Sequence, residues 1–265
     1  MIFEAARVLI PFVLAFVIGI AISPLVTDQL YRYKAWKKKA GKGKGMGDAT
    51  GTPLFNELHK EREVSTPRMG GIVVWAATFA TAGGIMLLGY AFGEPFVSFD
   101  FITRSQTWLP LFALMVGAGV GLVDDILEVT RSAGGLSLKW RLLVVAALGS
   151  FIGWWFYAKL GVSAVGIPFV GTLPLGPFFI LFFVLVTLAL YAGGIIDGID
   201  GLAGGIFAII FMTYAAIAFA QEQVSLAAFA ASVSGALFAF LWFNIPPARF
   251  YLSETGTMAL TVALA

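Results

Sequence analysis

Apolar residues along this chain run in long blocks and do not alternate. Seven blocks are each about the length a helix needs to cross a hydrocarbon core about 30 Å thick. They are Ala5–Val26, Gly70–Phe92, Trp108–Val123, Trp140–Leu160, Pro177–Ile195, Ala203–Ala220 and Leu226–Phe243. The third is short unless it continues past Asp124. An eighth run begins near Thr257 and reaches Ala265. Its nine helical residues would cover only about 13 Å. Ala265 is therefore expected inside a membrane helix, with further sequence beyond it. The pattern predicts an all-α polytopic membrane protein, residues 1–265 forming one integral-membrane domain with seven complete spans and the start of an eighth. Residues 27–69 form a basic loop, and Lys37–Gly51 (KKKAGKGKGMGDATG) reads as a flexible linker within it.

Composition sharpens this picture. Apolar types make up 59 % and charged types 12 %, against roughly 45–50 % and 25 % in soluble domains. Too little polar surface is available to coat a soluble fold. With no cysteine and the single histidine His59, a thiol nucleophile and a His-rich metal site are excluded within this sequence. The first block is longer than a signal-peptide core, and its basic cluster follows it. Fourteen of the seventeen Lys and Arg fall in the connections after spans 1, 3 and 7. Positive charge marks the cytoplasmic side, so the N-terminus is expected outside and the loops after spans 1, 3, 5 and 7 inside, in the plasma (inner) membrane. The basic loop suits anionic lipid; it contains no G-x4-G-K-[ST] phosphate loop, and no nucleic-acid partner is indicated.

Eleven of the fifteen acids lie on that same side. Asp28, Asp48, Glu57, Glu61 and Glu63 belong to a mixed-charge loop that solvation explains. The others abut apolar spans. Asp124 and Asp125 close span 3 (GAGVGLVDD), Asp197 and Asp200 close span 5 (YAGGIIDGIDGLAGG), and Glu254 precedes the eighth run. Carboxylates at a membrane boundary are costly unless paired or hydrated. Near a helix C-terminus the macrodipole also repels Asp124 and Asp125. A divalent cation bound by hard oxygens resolves both problems, and Mg²⁺ typically takes one or two carboxylates plus substrate phosphate. Asp197 and Asp200 are three apart, so a helical turn would put them on one face, and Gly198 allows close backbone approach. Any one of these acids could simply end a helix in water; three clusters on one face, each beside glycine, point to a bound ion. An ion pathway is disfavoured because spans 2 to 7 carry no charge in their interiors. In Leu58–Gly71 (LHKEREVSTPRMGG), His59, Lys60, Arg62 and Arg68 put positive charge near the membrane, as an anionic phosphate ligand requires.

TPRMGG, GLVDD, DGIDGLAGG and NIPPARFYLSETGT, in this order and on this face, resemble the four loop motifs of the polyprenyl-phosphate N-acetylhexosamine-1-phosphate transferases. LHK…TPRMGG and ETGTMAL most resemble the phospho-N-acetylmuramoyl-pentapeptide transferases within that group. The resemblance implies ten spans with both termini outside and a Mg²⁺-dependent reaction. Phospho-MurNAc-pentapeptide would pass from its UDP carrier to undecaprenyl phosphate, releasing UMP and giving lipid I. It implies that Asp124, Asp125 and Asp197 are catalytic, with Asp124 the base that activates the acceptor phosphate for direct attack. Asp124, Asp125 and Glu254 would hold the metal. Asp200, Gly198, Asn244, Tyr251, Arg68 and Lys60 would contact substrate, Tyr251 by stacking on uracil. Relatives are often dimers, so a homodimer is an expectation of the resemblance alone.

Four positions depart from the family's pattern. Glu254 replaces an aspartate, Gly194 an asparagine, and Glu128 and Arg141 replace lysines. A GlcNAc-1-phosphate transferase is the alternative within the family. A transporter or lipid-handling protein without chemistry, or a purely structural bundle, are the alternatives outside it.

Overall fold

The computed structural model describes residues 2–36, 65–103, 106–130, 135–167 and 170–265. The linker at 37–51 and the residues His59 and Lys60 lie outside the described residues. Among the described residues, eight α-helices follow one another: α1 Ile2–Arg32, α2 Gly71–Phe92, α3 Trp108–Thr130, α4 Leu138–Lys159, α5 Phe178–Gly193, α6 Leu202–Ala220, α7 Val224–Asn244 and α8 Ser253–Leu264. Six are long and apolar enough to cross a membrane. The exception among the expected spans is α5, with 16 residues, because the chain tightens into a 3₁₀ turn at Gly194–Ile196. Helix α3 continues past the aspartate pair to Thr130, so Asp124 and Asp125 sit inside the helix and not at its end. Helix α8 starts at Ser253, four residues before the expected Thr257, and carries Glu254 in its first turn. Two short strands, β1 Ala164–Ile167 and β2 Gly171–Pro174, pair antiparallel between α4 and α5; the apolar pattern gave no sign of them.

Several hydroxyls inside the helices find partners on their own helix. Ser23, Thr78, Thr81, Thr187 and Thr261 each donate a hydroxyl hydrogen bond to the carbonyl four residues earlier. In an apolar surround this spares the helix an unpaired polar group. Helix α7 is the most enclosed of the six membrane-length helices, packed against α1, α2 and α6. At its end Phe240 and Phe243 meet Phe250, with ring centroids 5.6 and 6.1 Å apart. Phe250 is fully buried and so anchors the segment between α7 and α8.

Helix α8 is wedged between α2, α3 and α5. Backbone packs on backbone there. A Cβ on Gly121 would run into the Glu254 carbonyl, and one on Gly71 into the backbone of Gly256. Small residues permit this close approach between membrane helices. Gly121→Val is therefore expected to destabilise the protein by about 1–3 kcal/mol or more through overpacking. Gly119, two residues away, faces open space, so Gly119→Ala should leave the melting temperature unchanged or raise it. Thermal unfolding of the two detergent-solubilised variants checks the pair.

Candidate active site

The four sequence motifs meet at one end of the bundle. The segment 245–252 between α7 and α8, together with Ser253 at the start of α8, is their hub. Asn244, buried at the end of α7, accepts a hydrogen bond from Gly201 N at 2.9 Å and donates to the Phe250 carbonyl at 2.8 Å. Asp200 accepts from Ala248 N at 3.1 Å, and Asp197 from Ser253 N at 2.7 Å. Tyr251 N donates to the Pro67 carbonyl at 2.9 Å, and Gly70 N donates to the Tyr251 carbonyl at 2.8 Å. Asp197 and Asp200 lie on a non-helical turn. They reach different ends of the hub instead of sharing one helical face, because Gly198 and Gly201 take positive φ of 146° and 78° and break the helix between them. Tyr251 is buried, so its ring is not presented as a stacking platform in this arrangement.

Asp125 is the most heavily bonded acid. Its Oδ2 accepts from Ser253 Oγ at 2.5 Å, Thr255 N at 2.8 Å and Thr255 Oγ1 at 2.6 Å. Its Oδ1 accepts from Arg68 Nε at 3.3 Å. The carboxylate thus caps the start of α8, where free N–H groups and the positive end of the dipole favour an anion. Ser253 Oγ in turn accepts from Met69 N at 2.8 Å. Both Ser253 and Met69 hold positive φ, 52° and 69°, a backbone state that bonded surroundings must enforce.

Two arginines each bridge two acids. Arg68 joins Asp125 and, through Nη2 at 3.1 Å, Glu128. It lies in the loop before α2. Burial opposes its charge, but Asp125, Glu128 and Asp197 outweigh that and raise its pKa further above the ordinary value. Arg141 joins Asp124 Oδ2 at 2.8 Å and Glu254 Oε1 at 2.6 Å, and its Nε donates to the Leu136 carbonyl at 3.1 Å. Asp124 is fully buried. Its Oδ1 accepts from Leu136 N. Its Oδ2 accepts no hydrogen bond, because Arg141 meets it at ion-pair distance without hydrogen-bond alignment.

Among the described residues, no three His, Asp or Glu side chains are arranged to hold a metal ion. Asp125 is committed to α8 and Arg68, so Asp124, Asp125 and Glu254 share arginines here. Asp124 and Glu254 nevertheless hold a cation between two carboxylates, and one oxygen of the pair is buried without a hydrogen bond. That donor set fits Mg²⁺, which uses one or two carboxylates and completes its shell with water and phosphate.

The profile of glycosyl transferase family 4 matches residues 107–265, which include every described acid of the cluster. The chain belongs to glycosyl transferase family 4. It is similar to the phospho-N-acetylmuramoyl-pentapeptide-transferase of Listeria monocytogenes serotype 4b, at 30 % identity over 258 residues, covering 96 % of this chain and 72 % of that protein. The enzyme of the same name from Clostridium beijerinckii is 27 % identical over 263 residues, 96 % of this chain and 71 % of that protein. The one from Latilactobacillus sakei is 34 % identical over 203 residues, 76 % and 60 % respectively. In this family 4 chain, the cluster joins Arg68, Asp124, Asp125, Asp197 and Glu254 with Arg141, Ser253 and Thr255. The sequence pattern does not mark the last three as site residues. The run of hydroxyls in SETGT, at a helix start where such residues cap, was the available signal for Ser253 and Thr255.

Proposed function

We propose that this protein is a membrane-embedded phosphosugar-1-phosphate transferase. It would transfer phospho-MurNAc-pentapeptide from its UDP carrier to undecaprenyl phosphate in peptidoglycan synthesis, giving lipid I and UMP. The observation that carries this reading is the convergence of Asp124, Asp125, Asp197 and Glu254 with Arg68 and Arg141 at one end of an apolar bundle. Two anionic substrates, one soluble and one lipid-borne, must meet at such a boundary. Family membership and relatives named as pentapeptide transferases support the same chemistry.

In this reading the acid end faces the cytoplasm, which the distribution of Lys and Arg supports. Arg68 and Arg141 attract and orient the phosphates, since a guanidinium stays charged and forks onto phosphate oxygens. Asp124 takes the proton from the acceptor phosphate. The freed oxygen attacks the sugar-bearing β-phosphorus of the donor. The bond from that phosphorus to the bridging oxygen breaks, and UMP leaves with the electron pair. Asp197, Asp200 and Asn244 fix the hub segment against which the donor lies. Asp124 and Glu254 would hold Mg²⁺, whose contribution when bound is to neutralise charge on the diphosphate. All of these side chains come from one chain.

UMP release from UDP-MurNAc-pentapeptide is expected to require both a polyprenyl phosphate and a divalent cation. Chelation with EDTA should abolish it and excess Mg²⁺ should restore it. Full turnover in EDTA would remove the metal from the account. Use of UDP-GlcNAc in place of the pentapeptide donor would assign the chain to the GlcNAc-1-phosphate branch.

A further inference from the structure

Arg141 is held by four groups, one of them Tyr191 of α5 through a side-chain hydrogen bond. Its Nε is on the Leu136 carbonyl of its own helix start, one Nη on Asp124 and the other on Glu254. The two carboxylates stand on closely packed helices. α3 and α8 are in backbone contact at Gly121, within one turn of both acids. Asp125 and Glu128 add further negative charge on α3, and Arg68 is already engaged with those two. Two carboxylates that share one guanidinium favour a cation between them, because removing one partner of a buried pair leaves an uncompensated charge. The Arg141 side chain is 20 % exposed, so it has a way out toward the surface, and it cannot lose its charge on leaving.

We infer that Arg141 is an exchangeable internal counter-cation. It occupies the position between Asp124 and Glu254 in the metal-free protein and competes with a divalent ion for those two carboxylates. When the ion enters, the guanidinium swings out still charged, on the side from which an anionic phosphate arrives. Leu136 marks the inner end of its range. The closed site is thereby kept neutralised until a metal is present, and metal affinity is set lower than the acids alone would give. This inference rests on the reading that Asp124 and Glu254 hold a metal.

The experiment is a Mn²⁺ titration of the purified full chain, without substrates, followed by electron paramagnetic resonance. The melting temperature is measured in EDTA and in Mn²⁺. Arg141→Gln should bind Mn²⁺ more tightly, on the order of tenfold, since a charged competitor has been removed. It should also melt below the wild-type protein in EDTA and recover when Mn²⁺ is added. Arg141→Lys keeps a charge that cannot fork onto both acids, so it should fold like wild type and bind Mn²⁺ with intermediate affinity. Equal or weaker Mn²⁺ binding by Arg141→Gln overturns the inference while leaving the metal reading intact. A loss of stability that Mn²⁺ does not recover reduces Arg141 to a structural tie and also overturns it. Absence of Mn²⁺ binding in wild type and variants alike, with turnover persisting in EDTA, removes the metal reading and this inference together.

Discussion

Asp125→Asn is expected to lose both activity and stability, with UMP release down by at least about a hundredfold. One carboxylate oxygen takes three hydrogen bonds from Ser253 and Thr255 while the other takes Arg68. An amide can offer one acceptor oxygen, so its NH₂ group must face either the Arg68 guanidinium or the donors at the start of α8. Breaking a buried, hydrogen-bonded charge in this way costs about 3–5 kcal/mol. The loss should appear as a lower melting temperature together with faster proteolysis near residues 245–253, because that segment and α8 lose their shared clamp. Ser253→Ala removes one of the three donors and leaves the charge, so it should show the same pattern at about a third of the size. If Asp125→Asn melted like wild type, the clamp would not be what holds α8 in place.

Asp124→Asn should separate the two effects. Its Oδ1 interaction with Leu136 N survives in an amide, and Glu254 remains to balance Arg141. The new NH₂ group then faces Arg141, so stability also falls, but by less than in Asp125→Asn, where four hydrogen bonds converge on the carboxylate. Turnover should fall by about 10²–10⁴, the usual contribution of a positioned proton acceptor, with donor binding largely retained at saturating Mg²⁺, where Glu254 still holds the ion. Steady-state kinetics with saturating acceptor lipid distinguish this from a binding defect: kcat falls and the donor KM stays near its wild-type value. A variant with wild-type kcat would remove Asp124 from the chemistry.

The spans and the order of the motifs were legible because apolar run length and charge placement are local properties. Run length located α2, α4, α6 and α7 within a few residues, but α1 and α3 run on past their apolar blocks to Arg32 and Thr130. The meeting of four distant loops was foreseen only through resemblance. Local reading failed where a side chain's partner is remote. Asp125 reads as a helix end beside water, yet its partner Thr255 lies 130 positions away and buries it. Asp197 and Asp200 read as one helical face, but their bonds to Ser253 and Ala248 hold them on a turn. Arg141 reads as one more positive-inside residue. Its pairing with both Asp124 and Glu254 depends on α3, α4 and α8 converging, and no periodicity encodes that. The β1–β2 pair escaped notice because four-residue strands leave no measurable alternation.

The most direct test follows the phosphate itself. The protein is reconstituted in vesicles with undecaprenyl phosphate, Mg²⁺ and UDP-MurNAc-pentapeptide carrying a radioactive label in its β-phosphate. The account predicts that the label moves into the lipid fraction in step with unlabelled UMP release, and that Asp124→Asn stops both. Label remaining in the water-soluble nucleotide fraction while the wild-type protein is folded, or an unchanged transfer rate in Asp124→Asn, would contradict it.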